Sequence, residues 1–268
     1  MMNMTESSDV TIIELKPSER KVFMYYMDGM LIDTGPPNAK QELILFYQSS
    51  DIDFVCLTHS HEDHSGTAPW LEKNMNVPIY AHEKAAETCE KPGDYPVYRQ
   101  KIWGLREEGF HVEPVKRKMQ SNRYTWKVID SPGHSEDHIA LLNEDTGMMF
   151  SGDLFVSPKT KLIMNTESIP DTIASLRRIL THDFDELFCG HAGYIKNGKE
   201  MIKLKLDNLE HLSYEIIEQH QKGFTIEEIN ETLFPKKYPL IDISDHEWDS
   251  IHIVRSVIKG FAEEIGQK

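Results

Sequence analysis

Four apolar, strand-like runs in this chain each end shortly before a histidine or an aspartate. The runs are FVCLT, WKVID, MMFSG and ELFCG, each short enough to form one buried β-strand. Side chains that follow the ends of neighbouring strands can meet at one edge of a sheet, held on rigid elements while the loops around them vary. We therefore expect these groups to converge on one site. The candidate ligands are His59, His61, Asp63, His64, His134, Asp153 and His191.

The residue types in this set are those that bind transition metals. Imidazole and carboxylate suit Zn²⁺, and also Fe or Mn, whereas structural zinc sites more often use cysteine. The loop THSHEDHSG (58–66) can place both rings of its His-X-His pair on one ion and turn Asp63 and His64 toward a second. An aspartate such as Asp153 can bridge two cations and offset their repulsion at a separation of about 3.5–4 Å. The set predicts a centre of two Zn²⁺ ions, with Fe or Mn as alternatives.

The order of the predicted elements is that of an α/β fold. A β-rich meander is predicted at 9–15, 21–26 and 30–35. Strands at 53–59 and 77–82 then alternate with helices, and further strands are predicted at 124–130, 138–144, 147–152 and 185–191. Helices are predicted at about 38–47, 67–73, 83–89 and 171–180. Residues 91–122 carry no clear pattern and are expected to form a loop insertion around a helix at about 98–107.

After Gly198 the pattern changes to that of amphipathic helices. Apolar residues at 3.6-residue spacing run from Ile202 to Ile216, and two capping-box sequences, at 225–228 and 244–247, each predict the start of a further helix. No linker or repeat separates this part from the rest. We therefore predict a catalytic domain over 1–196 and a small C-terminal helical subdomain over 197–268 that packs against it.

Charge and composition argue against several kinds of partner. Lysine and arginine number 29 against 44 aspartates and glutamates, a net charge of −15 that repels nucleic acids and anionic membrane surfaces. The N-terminus shows no signal-peptide pattern, and no apolar run reaches the ~18 residues of a membrane span. The expected location is the cytoplasm. Cys56, Cys89 and Cys189 lie far apart in the sequence and are expected to be buried thiols.

Four segments resemble the ligand motifs of a known family. THSHEDHSG matches the His-X-His-X-Asp-His signature of the metallo-β-lactamase-fold hydrolases, and SPGHSEDH, SGDLF and CGHAG resemble that family's later ligand motifs in the same order. The resemblance covers about residues 10–195. It implies an αββα sandwich, in which two mixed β-sheets pack face to face with helices outside.

The same resemblance implies a role for each candidate ligand. Site one would consist of His59, His61 and His134, site two of Asp63, His64 and His191, and Asp153 would bridge them. The IDTG turn (32–35) is similar to the family's early aspartate turn, so Asp33 is expected to orient a ligand without binding metal itself. Within the family, the chain is most similar to the glyoxalase-II-like, lactonase, thioesterase and lactamase-like 2 branches.

Such a centre implies a hydrolase. A hydroxide shared by two metal ions would attack the carbonyl of a small-molecule thioester, ester or lactone, and Asp63 would orient that hydroxide. Two alternatives stay open: cleavage of phosphodiesters, including RNA, with the same metals, and a non-hydrolytic role as a mononuclear iron dioxygenase or a metal-binding regulatory module. The expected partner is a small-molecule acyl substrate, neither nucleic acid nor membrane is expected, and the chain could act alone or as a homodimer.

Three further features could contact the substrate. His138 could hydrogen-bond a substrate oxygen, or it could be a structural histidine. Tyr194 could act as a catalytic donor to a developing oxyanion. The irregular stretch 233–245 could reach the sheet edge at which the candidate ligands converge (the metal edge), or it could be an exposed connector. In the second case the 91–122 insertion would line the pocket.

Overall fold

The first β-sheet is built from residues 2–114. The computed structural model describes residues 1–266, so positions 267–268 of the predicted helical subdomain lie outside the described residues. The sheet runs in chain order, antiparallel over its first four strands and parallel thereafter. Its strands are β1 (Met2–Ser7), β2 (Val10–Leu15), β3 (Val22–Met27), β4 (Met30–Ile32), β5 (Phe54–Cys56), β6 (Ile79–Ala81) and β7 (Glu113–Pro114).

The second sheet is built from residues 118–195. Numbered along the chain, its strands are β8 (Lys118–Gln120), β9 (Thr125–Asp130), β10 (Ile139–Asn143), β11 (Met148–Gly152), β13 (Glu186–Cys189) and β14 (Gly193–Ile195). Their order is β14-β13-β11-β10-β9-β8, and only the β11–β13 pair is parallel. A separate two-stranded ribbon pairs β12 (Ile163–Met164) with β15 (Trp248–Asp249).

Helices cover the outer faces of both sheets. The helices before residue 196 are α1 (Lys40–Gln48), α2 (Glu62–Ser65), α3 (Ala68–Met75), α4 (Ala86–Cys89), α5 (Val97–Trp103) and α6 (Ile169–Leu180), and short 3₁₀ turns precede α1 and α4. The C-terminal helices are α7 (Gly198–Gln221), α8 (Ile226–Leu233), α9 (Pro239–Ile243) and α10 (Ile251–Gly266).

Three apolar layers hold these elements together. Alternate residues of a strand point to opposite faces of its sheet, so Ile12 enters the core between the sheets while Ile13 packs under the outer helices. The central layer contains the fully buried rings of Trp126, Phe150 and Phe188. The third layer lies between the second sheet and the helices that cover it. This is the αββα sandwich that the family resemblance implies.

The C-terminal helices share a core with the second sheet. The apolar stripe of α7, from Ile202 to Ile216, is buried in one cluster with Leu187 of β13 and Val254 of α10. Burial of this stripe stabilises a helix far more than intrinsic propensity does. The helical segment therefore continues the sandwich, with α6 and α7 packed side by side.

The two predicted capping boxes behave differently. At Thr225 the box is complete, because the hydroxyl accepts from the Glu228 amide and the Glu228 carboxylate accepts from the Thr225 amide. The box predicted at 244–247 is wrong. Asp245 and His246 have φ of 50° and 61°, which is left-handed backbone, and the next helix begins only at Ile251. No sequence pattern indicated β1, β7, β8, β14 or the short helix α9.

Two composition-based expectations concern thiols and membranes. Cys56, Cys89 and Cys189 are all buried and carry free thiols, as predicted. Across residues 1–266, no helix combines the length and the apolar character needed to cross a bilayer.

Candidate metal centre

The candidate ligands all follow strand ends at one edge of the sandwich. Strand β5 ends at Cys56 and leads through Leu57 and Thr58 into His59. The first turn of α2 then carries Asp63 and His64, because the backbone at His61 is extended and the helix starts directly after it. Strands β11 and β13 are parallel, so their carboxyl ends bring Asp153 and His191 to the same edge.

Three imidazoles form the first group. The His61 Nδ1 atom lies 3.0 Å from the Nε2 atom of His59 and 2.9 Å from that of His134. Zinc–nitrogen bonds of about 2.0–2.1 Å in tetrahedral geometry separate neighbouring nitrogens by roughly 3.3 Å. The two separations are slightly shorter than this value, and all three nitrogens lie within 4.8 Å of one another, close enough to share one ion. They are the predicted site-one set.

Asp63, His64 and His191 form the second group. The His191 Nε2 atom lies 3.3 Å from a carboxylate oxygen of Asp63. Asp153 stands between the groups, since its oxygens lie 3.4 Å from His64 Nε2, 3.1 Å from His191 Nε2 and 3.5 Å from His134 Nε2. The arrangement has the form expected of a bridging carboxylate.

Two buried atoms of this centre have no hydrogen-bond partner. They are His64 Nε2 and Asp153 Oδ1, which face each other in the interior. A buried polar atom without a partner costs about 1–3 kcal/mol. A cation bound between the two groups would satisfy both atoms, so the residues present fit a metal ion.

The histidines of the centre fall into two classes by the direction of their pKa shift. Burial, assisted by the neighbouring imidazoles, holds the pKa of His59 and of His61 well below the ordinary value, so both rings are neutral and can offer a lone pair. For His64 and His191 burial acts in the same direction, but Asp153 and the other nearby carboxylates outweigh it and raise each pKa. These two rings would have to lose a proton to bind a cation.

Asp33 contacts the ring nitrogen of His64 that is directed away from the centre. One Asp33 oxygen lies 2.7 Å from His64 Nδ1, and the other accepts from the Thr58 amide at 2.7 Å. The bond fixes the Nδ1–H tautomer, so that Nε2 faces the centre. Asp33 has a φ of 61°, left-handed backbone that aspartate adopts more readily than most residues. This is the arrangement expected for Asp33 from the sequence.

Sequence reasoning missed the partners of two other ligands. The Glu167 carboxylate lies 3.2 Å from His134 Nδ1, and the backbone carbonyl of Lys21 accepts from His191 Nδ1 at 2.7 Å. A backbone carbonyl leaves no trace in a sequence. Glu167 follows its partner by 33 positions in no recognised motif, and only its place directly before the α6 N-cap Ser168 marks it.

The structure does not support a direct role for His138 in catalysis. Its ring is buried, one nitrogen accepts from the Asp153 amide at 3.0 Å and the other lies 2.8 Å from the Ser131 hydroxyl. Burial and nearby His134 lower its pKa to about 3, so the ring is neutral. Both nitrogens are occupied, and His138 acts as a structural histidine that holds the backbone at Asp153.

Tyr194 is also directed away from the centre. It lies on β14 opposite Phe188, and its hydroxyl donates to Glu186 at 2.6 Å. Glu186 begins β13, whereas the metal edge lies beyond the end of that strand. The predicted contact between Tyr194 and an oxyanion is therefore not supported by this geometry.

A cavity of about 310 Å³ opens beside His61. Residues 60–62 of the loop 58–66, called the metal loop below, form one wall, and the segment from Glu87 to Arg106 forms the other. Within the part of the chain that the structure describes, no residue of 233–245 lines this cavity. The geometry favours the alternative in which the insertion, and not the 233–245 stretch, borders the metal edge.

Comparison with known proteins agrees with this geometry. The family model for the metallo-beta-lactamase superfamily matches residues 22–191. The probable metallo-hydrolase YqjP of Bacillus subtilis is 25% identical over 271 residues, covering 81% of this chain and 82% of that protein. An atrochrysone carboxyl ACP thioesterase of Aspergillus fumigatus is 26% identical over 184 residues, covering 67% of this chain but only 52% of that protein.

A solved structure supports the fold over nearly the whole chain. A metallo-beta-lactamase family protein from Thermus thermophilus superposes with a TM-score of 0.71 at 16% identity, covering 96% of this chain and 94% of that one. The region matched by the family model is more than half of the chain and contains every candidate ligand. The chain therefore belongs to the metallo-β-lactamase superfamily, whose members are generally metal-dependent hydrolases.

Proposed function

We propose that this protein is a dinuclear metal-dependent hydrolase that cleaves a small-molecule thioester, ester or lactone. The observation that carries the proposal is the convergence of seven ligand-type side chains in two groups on the carboxylate of Asp153. His64 Nε2 and Asp153 Oδ1 are buried there without a hydrogen bond, although they lie 3.4 Å apart. In a purely structural cluster, buried polar atoms of this kind are hydrogen-bonded within the protein.

The ligand-type side chains would divide between two ions. His59, His61 and His134 would hold one ion, Asp63, His64 and His191 the other, and Asp153 both. When bound, such ions supply a water of lowered pKa and polarise the substrate carbonyl. Zinc is the metal we propose for both sites.

Asp63 has the geometry of an orienting group. Burial raises the pKa of its carboxyl, but His64 and His191 outweigh burial and keep it ionised. An ionised oxygen that faces the centre can accept a hydrogen bond from the attacking water and fix its direction. The substrate would enter through the cavity beside His61, where Tyr95 and other residues of the insertion form the outer wall.

Two observations support an acyl substrate. A thioesterase from A. fumigatus is among the relatives, and its name states action on an acyl carrier thioester. The net charge of −15 opposes the approach of a polyanion such as RNA. A compact acyl compound does not meet this electrostatic obstacle.

The test is a substrate panel on the whole protein loaded with zinc. The panel contains acyl thioesters, lactones and a phosphodiester, each assayed before chelation, after chelation and after zinc is restored. We expect turnover of at least one acyl class that disappears on chelation and returns with zinc. If only the phosphodiester is turned over in a metal-dependent way, the protein is a phosphodiesterase and the acyl assignment is wrong. If no compound is turned over in a metal-dependent way, the hydrolase assignment is wrong.

A further inference from the structure

Arg99 joins three parts of the chain that are far apart in sequence. It lies on α5 in the insertion, and its guanidinium makes two parallel bonds to Glu62, of 2.7 Å and 2.6 Å. Its remaining nitrogen donates to Glu247 at 3.1 Å. Tyr98, the preceding residue, also donates to Glu247, at 2.8 Å. One side chain thus links the insertion, the metal loop and the C-terminal segment.

Glu62 gives this link its importance. It lies in the metal loop directly between His61 and Asp63, which belong to different ligand groups. Its carboxylate is 3% exposed, so it depends on a positive partner inside the protein. Arg99 provides that partner in the bidentate geometry that a lysine cannot reproduce.

The C-terminal segment reaches the centre by a second route. Strand β15, which follows Glu247, pairs with β12, and the Asn165 amide donates to the Glu247 carbonyl at 2.9 Å. The segment after β12 carries Glu167, which accepts from the Met164 amide and contacts the ring of His134. Residues 247–249 are thereby connected to His61 through Arg99 and Glu62, and to His134 through β12 and Glu167.

We propose that Arg99 is a positioning residue through which the C-terminal segment 247–249 sets the geometry of the metal loop. The inference rests on the two-metal centre proposed above. Without the guanidinium, Glu62 would be a buried, unpaired carboxylate beside the carboxylate of Asp63. The two like charges would repel each other, and the first turn of α2 would shift to expose Glu62 to water. His61 and Asp63, on either side of Glu62, would move with it.

The control is a second arginine–carboxylate pair, which lies at the protein surface. Arg177 on α6 bonds Glu210 on α7 at 2.9 Å and 2.7 Å, on the face of the second sheet that carries the helices. It joins two packed elements as Arg99 does, but it contacts no residue of the metal loop. The variants are Arg99→Gln, Arg99→Lys, Glu247→Gln and, as the control, Arg177→Gln.

The experiment measures metal binding in folded whole protein. Zinc affinity is determined by competition with a chromophoric chelator, the visible spectrum of the cobalt-substituted protein reports ligand geometry, and thermal unfolding of the metal-free protein reports stability. We expect Arg99→Gln and Arg99→Lys to lose about tenfold or more in zinc affinity and to show an altered cobalt spectrum. Losses of this size are typical when a residue that supports a metal ligand is replaced. Glu247→Gln should lie between these variants and the wild type, and Arg177→Gln should match the wild type.

The results that contradict the inference are distinct from those that contradict the proposed function. Folded Arg99 variants, or Glu247→Gln, with the wild-type zinc affinity and cobalt spectrum would overturn the positioning role, whatever their thermal stability. If Arg99→Gln fails to fold, Glu247→Gln decides the question, because it removes only one arm of the link. A wild-type protein that binds zinc but hydrolyses no acyl compound overturns the proposed function and leaves this inference standing.

Discussion

Replacing Asp33 by asparagine should inactivate one metal site by changing a tautomer. The Asp33 oxygen facing Thr58 accepts that residue's amide hydrogen at 2.7 Å, so the asparagine oxygen must occupy the same position. The new NH₂ group then faces His64 Nδ1, which in the wild type is a donor 2.7 Å away. Two donors cannot pair, so the ring proton of His64 would move to Nε2, the atom that faces Asp153.

The size of the effect follows from the lost bond. A hydrogen bond to a charged group contributes about 1.5–3 kcal/mol, and each 1.4 kcal/mol is about a factor of ten in affinity. Affinity for the ion at His64 should therefore fall about 10- to 100-fold in Asp33→Asn. The backbone should tolerate the change, because asparagine also adopts the left-handed φ of 61° found here.

The assay is zinc titration against a competing chelator, with elemental analysis of the loaded protein. Asp28→Asn is the control, because Asp28 also has a left-handed φ, of 55°, and accepts hydrogen bonds from Ser121 and Arg123, which hold no ligand. We expect the control to bind two ions as the wild type does. Retention of both ions at wild-type affinity in Asp33→Asn would refute the tautomer argument.

Three further predictions concern the centre and the core beside it. Asp153→Asn removes the charge shared by both groups and should lower occupancy of both ions, whereas Asp63→Asn should mainly empty one; equal, near-wild-type metal content and turnover would contradict this difference. Gly190→Ala should weaken zinc binding, because a Cβ there would collide with Asp153 and with the ring of His64, as titration of the variant would show. Burial lowers the pKa of Lys205 from 10.5 to about 8. Between pH 8 and 10.5 the unfolded state therefore binds more protons than the folded state, and the free energy of unfolding should rise with pH by on the order of 3 kcal/mol. Urea unfolding of the wild type should show this rise, and urea unfolding of Lys205→Met should not.

The convergence of the candidate ligands could be predicted from sequence because they follow the ends of recognisable strands. His59 directly follows the apolar run FVCLT, three positions after strand β5 ends, and the strand geometry fixes where such a residue must lie. The position of Asp33 beside His64 could be anticipated for a related reason, since Asp33 directly follows strand β4. In these cases local sequence and final position are coupled.

The errors occurred where nearness in sequence was taken for nearness in space. Tyr194 follows His191 by three positions, but β14 reverses direction and carries the hydroxyl back toward Glu186 at the far end of β13. Arg99 was missed for the opposite reason. It lies in an insertion without periodicity, and its partners Glu62 and Glu247 are 37 and 148 positions away. Such pairings depend on tertiary packing and leave no local pattern.

The division of the fold into two sheets has a consequence for stability. Residues 2–114 build one sheet and residues 118–195 the other, so each is a contiguous half of the sandwich. His59, His61, Asp63 and His64 come from the first half, and His134, Asp153 and His191 from the second. An ion held by both sets would act as a cross-link between the halves and would favour only the docked state, adding about 2.7 kcal/mol when free metal exceeds its dissociation constant a hundredfold. Metal supply would then govern the lifetime of the folded chain as well as its chemistry.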